Sequence, residues 1–123
     1  MTQKNQFNVD VFDCTVHVIV SDNIRRSIDY YLRTYGQGKL EDDVSGYFFG
    51  PCPEDVSNYF IFFDSEDVTT DVIAHEESHL VEQILIDRDI KPVDEVRAYL
   101  TGFISRKIDL IFKRRKLKIR NKR

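Results

Sequence analysis

His75-Glu76-Glu77-Ser78-His79 sets two imidazoles four residues apart, with a carboxylate directly after the first. On an α-helix, side chains with that spacing stand one above the other on the same face. Two such imidazoles suit two corners of a tetrahedral zinc site, and the Glu between them is placed to act on a metal-bound water. The chain has only 3 histidines, so two of them lie in this one pentapeptide. The surrounding residues are apolar at helical spacing. Ile73, Leu80, Val81 and Ile84 form one stripe, suited to packing on a sheet. His75 and His79 project from nearly the opposite side, together with Val72, Glu82 and Ile86, while Glu76 sits on the shoulder beside them. Apolar neighbours on the histidine side predict a helix buried on both sides, between the sheet and an element that carries a third ligand.

A third ligand should be a carboxylate or another histidine. His17 falls in a β-branched strand, where an isolated histidine more often fills a core or edge position. Glu95 is the better candidate. On the following helix it shares a side with Ala98 and Gly102, whose small or absent side chains let two helix backbones approach closely. Val96, Leu100, Phe103 and Leu110 form that helix's apolar stripe. Asp94 is shorter and placed to cap the helix, and Glu82 shares a helix with both histidines; each is a weaker alternative.

The elements that must position these residues are marked by clear punctuation. Residues 9–20 are rich in β-branched side chains and read as a first strand. Ser21-Asp22-Asn23 offers an N-cap, and Ile24, Ile28, Tyr31, Leu32 and Tyr35 follow at helical spacing until Gly36 and Gly38. Residues 44–50 and 58–64 read as two aromatic strands, an antiparallel pair joined by Pro51-Cys52-Pro53-Glu54-Asp55. The motif helix spans about residues 69–87 after a run of potential caps. Pro92 breaks it, and a last helix runs from about Val93 toward the basic end. The expected order is β-α-β-β-α-α, an α+β fold in which a small antiparallel or mixed sheet packs on a buried motif helix followed by a C-terminal helix.

Composition sets broader limits. With 123 residues, 41% hydrophobic and 12% aromatic, the chain can bury one core and is not disordered. No apolar run approaches the ~20 residues that span a bilayer, and residues 1–8 are polar with no secretory pattern. Cys14 and Cys52 lack paired metal spacing and read as free structural thiols in a reducing compartment. Residues 113–123, KRRKLKIRNKR, carry eight basic residues and no acid. Without those eight, 10 basic residues face 21 acids, so residues 1–112 have a formal charge of −11. The chain thus divides into an acidic body and a basic tail. Such a tail suits phosphate, an acidic partner or the body itself, although charge runs are commonly solvated helix ends.

His75-Glu76-Glu77-Ser78-His79 followed by Asp94-Glu95-Val96-Arg97-Ala98-Tyr99 resembles the gluzincin branch of zinc metallopeptidases, where a Glu on the next helix completes a His-His-Glu site. It is more closely similar to small zincin-like proteins of bacteriophages and mobile elements, which pair a helical H-E-x-x-H with a nearby E-x-x-A-Y. The resemblance covers residues 69–103; ahead of them only element order is shared. It implies a single zincin-like domain over residues 1–112 that binds Zn2+ through His75, His79 and Glu95. Glu76 would take a proton from the zinc-bound water and pass it to the leaving amine. Tyr99 or Arg97 would stabilise the oxyanion, and Asp109 or the threonines before the helix would orient the histidines. A peptide or protein substrate would lie along an aromatic edge strand, residues 47–49 or 59–63. The expected setting is cytoplasmic, in a host cell or virion. The rival expectation is a non-catalytic virion or host-interaction protein with a structural or vestigial zinc site, with contact to nucleic acid through residues 113–123 as a further alternative.

Overall fold

The computed structural model describes residues 1–35, 38, 40, 42–50, 57–91 and 93–120. Strands β1 (Thr2–Val9) and β2 (Cys14–Ser21) form an antiparallel hairpin. The expected single strand over residues 9–20 is therefore interrupted. Asp10–Phe12 makes a 3₁₀ turn, and Asp13 follows with φ 51°, a left-handed conformation that Asp tolerates. Phe12 turns its ring into the core. β1 escaped the sequence reading because Thr2-Gln3-Lys4-Asn5-Gln6-Phe7 has no apolar alternation; its ladder to β2 makes it a strand.

From β2 the chain crosses through helix α1 (Ile24–Thr34), capped by the Asn23 side chain accepting from the Arg26 amide at 3.2 Å. Strand β3 (Gly46–Phe49) and strand β4 (Asn58–Asp64) follow. β4 lies parallel to β2, while β3 pairs antiparallel with β4, as expected, on the outside. The sheet order β1-β2-β4-β3 makes a mixed four-stranded sheet. β4 is interior, which explains its near-continuous buried run Tyr59-Phe60-Ile61-Phe62-Phe63. Of the two aromatic strands considered as a docking edge, residues 59–63 are thus excluded, and residues 47–49 form the edge.

Alternation along the strands separates two cores. Val16, Val18, Val20, Tyr59, Ile61 and Phe63 face helices α2 (Thr70–Asp87) and α3 (Asp94–Arg114). Ile19, Phe49, Phe60 and Phe62 face α1 through Ile24, Ile28 and Leu32. The α+β fold thus has three layers, with α2 and α3 side by side on one face. α3 buries Leu100, Ile104, Ile108 and Ile111. That row replaces the expected one through Phe103 and Leu110. Both rows contain Leu100, but the sheet selects the i+4 continuation. Phe103 instead meets Phe7 of β1, and Leu110 is left 51% exposed.

Both long helices end the same way. Asp89 and Lys116 adopt φ near +50°, and the next amides close back: Ile90 onto the Leu85 carbonyl at 3.0 Å, Leu117 onto the Phe112 carbonyl at 2.8 Å. The basic segment is consequently not a free tail throughout. Its first two residues end α3, Leu117 and Ile119 pack against the core, and the Arg120 amide donates to the Val68 carbonyl at 2.8 Å. The expected stop at Gly36, the connection containing Cys52, the break at Pro92 and residues 121–123 lie outside the described residues. Among the described residues, no helix is long and apolar enough to cross a membrane.

Candidate functional site

Thr69 starts the motif helix, its hydroxyl accepting from the Val72 amide at 3.2 Å. From that start the helix phase carries Leu80, Val81, Ile84 and Leu85 into the core and leaves His75 and His79 on the solvent side. The two imidazoles converge. Their Nε2 atoms are 3.1 Å apart, and the rings meet edge to face at 85°. Without a metal, one ring donates to the other. Two nitrogens on a tetrahedral zinc at their usual bond lengths stand about 3.3 Å apart, so the pair fits two corners of such a site.

The expected second buried side is absent. Ile86 is 60% exposed, and Glu82 is exposed and paired with Arg97 at 2.6 Å. The reason is the placement of α3, which packs on the sheet beside α2 rather than over the histidines. Glu95 lies exposed in the first turn of α3. Among the described residues, no group of three or more His, Cys, Asp or Glu side chains is gathered to hold a metal, so Glu95 is not brought to the histidine pair. Nor do Ala98 and Gly102 form a close helix contact: Ala98 is exposed, and a Cβ at Gly102 would meet only the Arg106 guanidinium, at 3.4 Å.

The close approach occurs elsewhere. Gly46, at the start of edge strand β3, lies directly against α2. A Cβ there would fall 2.6 Å from Val72 Cγ1 and 2.9 Å from Glu76 Cγ, so only glycine fits. The Asp64 amide donates to the Ser45 carbonyl at 3.0 Å, and Gly46 is opposite Phe63. In an antiparallel ladder, alternate residues turn both backbone groups away from the partner. The N–H and C=O of Gly46 therefore point away from β4, while Gly46 itself is buried against α2. There Val44, Ser45, Gly46, Asp71, Val72, His75 and Glu76 line a groove of about 330 Å³. Sequence reading missed Gly46, although a lone glycine inside an aromatic strand signals close backbone approach.

Glu76 forms part of the groove wall and is only 8% exposed. Burial pushes its carboxyl above the usual range, against the opposing pull of His75 and His79. Glu77 points the other way, into a pocket shared with Thr70, Ile73, Ser105, Ile108 and Asp109. It is 6% exposed, and its Oε2 has no hydrogen-bond partner among the described residues. Burial, reinforced by the Asp109 charge, pushes its carboxyl up to about 7.

Neither Tyr99 nor Arg97 lines the groove. Tyr99 is 52% exposed and stacks on Phe103, while Arg97 holds Glu82. Asp109 pairs with Lys113 at 3.1 Å, so the residues expected to orient the histidines serve elsewhere. His17 joins its Nε2 to Asn58 Oδ1 at 2.7 Å and stacks on Phe60, a structural position. Cys14 is a free, buried thiol, pushed up to about 11 by burial and therefore a poor nucleophile. Compared with family models, curated proteins and solved structures, the chain matches none.

Proposed function

We propose that this chain is a minimal zincin-like domain that binds zinc through His75 and His79 and hydrolyses peptide bonds, with Glu76 as general base. The observation that carries the reading is the convergence of the two Nε2 atoms, 3.1 Å apart beside a groove walled by Glu76 and the outward backbone of Gly46. Bound there, zinc would supply Lewis acidity and a water of lowered pKa. The remaining tasks fall to the chain itself. Gly46 directs one N–H and one C=O away from β4, and an extended peptide reaching them would add as a further strand outside β3. The absence of a side chain at Gly46 leaves that peptide close to the histidines. Glu76 is suited to accepting a proton and returning it to a leaving amine, because its carboxylate walls the groove beside His75.

The histidine pair supplies two of the ligands, and Glu95 enters as the candidate third ligand to be tested. The rival reading is a non-catalytic interaction protein with the same metal site. Metal analysis of the purified protein, followed by cleavage assays on a library of quenched fluorescent peptides, separates the two. We expect about one zinc per chain, lost in His79→Ala, with cleavage abolished and zinc retained in Glu76→Gln. Metal content unchanged in His79→Ala removes the site. Zinc without cleavage, or cleavage unaffected by Glu76→Gln, favours the interaction protein.

A further inference from the structure

On the opposite margin of the sheet, the other edge strand, β1, meets the last turns of α3. Lys4, Asn5, Gln6 and Phe7 face Lys107, Leu110, Ile111, Arg114 and Arg115 across a groove of about 390 Å³. Four of these residues are cationic and none is acidic; the Lys4 ammonium turns to the other face of the sheet, 5.8 Å from the Tyr31 ring centroid, which leaves Lys107, Arg114 and Arg115 as the cations of this margin. None of the four takes part in an ion pair among the described residues; the basic neighbour that does, Lys113, turns to Asp109. Arg115 is held in place by Asn5 Oδ1 at 2.8 Å from its Nε. This concentration of charge occurs on a chain whose first 112 residues carry a formal −11. An anionic ligand is therefore drawn to this margin and repelled elsewhere.

Aromatic rings flank the cations. Phe7 and Phe103 have centroids 6.4 Å apart, and Tyr99 stacks on Phe103 at 6.4 Å with an interplanar angle of 27°. Lys107 Nζ sits 5.5 Å from the Phe103 centroid, joining the ring row to the charged groove. Tyr99 is 52% exposed, a large surface for a residue that contributes nothing to either core.

We propose that this groove and ring row bind single-stranded nucleic acid, with Lys107, Arg114 and Arg115 on its phosphates and a base stacked against Tyr99. Cations tracking a backbone beside exposed rings are what an unpaired strand requires, because its bases are free to stack. A duplex buries its base faces and would leave the rings unused. An acidic protein would satisfy the cations but give the ring row no partner. The site is independent of the histidine pair and stands or falls without it.

The test is fluorescence anisotropy of the full chain with a labelled oligothymidylate of about twelve nucleotides, a length within the footprint of known single-strand sites. Three phosphate contacts predict that log affinity falls with log salt at a slope of roughly −2. Lys107→Glu with Arg114→Glu should weaken binding by well over about tenfold and flatten that slope. Tyr99→Ala should weaken binding while leaving the slope unchanged, because stacking releases no counterions. Thermal unfolding of each variant verifies that it is folded. No saturable binding at low salt overturns the proposal, as does unchanged binding in the charge-reversal variant. Equal or tighter binding of polyglutamate, or of a duplex of the same length, also overturns it, and assigns the groove to that ligand instead.

Discussion

Gly46 and Glu76 are in backbone-to-side-chain contact: a Cβ at residue 46 would stand 2.9 Å from Glu76 Cγ. This contact joins the open edge of the sheet to the residue proposed as base. It also sets how close an added strand would come to His75. Gly46→Ala should force β3 away from α2, since the stiff Val72 Cγ1 is nearer still, at 2.6 Å. Overpacking of this kind costs about 1–3 kcal/mol. Urea unfolding should register that loss. Peptide cleavage should fall further than stability alone explains.

The position of Glu95 makes a second prediction. It is exposed at the start of α3 and is not gathered with the histidines. Glu95→Gln should therefore leave zinc affinity within a few-fold of the unmodified chain, whereas His75→Ala should lower it by about tenfold or more. Competition titration against a chromophoric chelator reads both. A large drop in Glu95→Gln would instead identify it as the third ligand and require α3 to shift on metal binding.

Glu77 makes stability depend on pH in a direction that can be worked out. Its carboxyl is raised from an ordinary 4.5 to about 7 in the folded chain. Between those values the folded state binds more protons than the unfolded one, so stability falls as pH rises. The loss is complete above about pH 7 and amounts to roughly 3 kcal/mol at most. Glu77→Gln should raise the melting temperature at pH 8 and flatten the profile between pH 4.5 and 7. Glu76, raised in the same direction, leaves a residual slope. A steeper profile in Glu77→Gln would show that Glu77 is not the source.

Tyr59 is fully buried, and its hydroxyl donates to Asp87 Oδ2 at 2.6 Å while Gln83 donates to Oδ1 at 2.9 Å. Burial and the Asp87 carboxylate both raise the phenol far above its usual range, so it remains a donor throughout the accessible pH range. Tyr59→Phe should cost about 1–3 kcal/mol, because Asp87 Oδ2 loses its hydrogen-bond donor. Urea unfolding at neutral pH measures it. The histidine pair is untouched, so metal content should not change.

Local sequence carried much of the fold. Thr69 and Asn23 cap where their side chains allow, α1 and α2 have the expected extents, and β3 and β4 pair antiparallel as expected. β1 was not legible because a polar edge strand owes its conformation to its partner rather than to its own pattern. The turn at Asp10–Phe12 was hidden inside a β-branched run, where Asp13 alone carried the left-handed signal.

At the candidate site the division follows the same physics. Spacing within one helix is a property of the chain, so the sequence alone placed His75, Glu76 and His79 near one another. Which face of that helix meets solvent, which strand forms the edge, and where α3 lies depend on contacts between segments far apart in sequence. Only the folded chain left His75 and His79 exposed, kept Glu95 from them, and set Gly46 against Glu76. Periodicity specifies the angle of a side chain about its own axis, and packing specifies what that side chain faces.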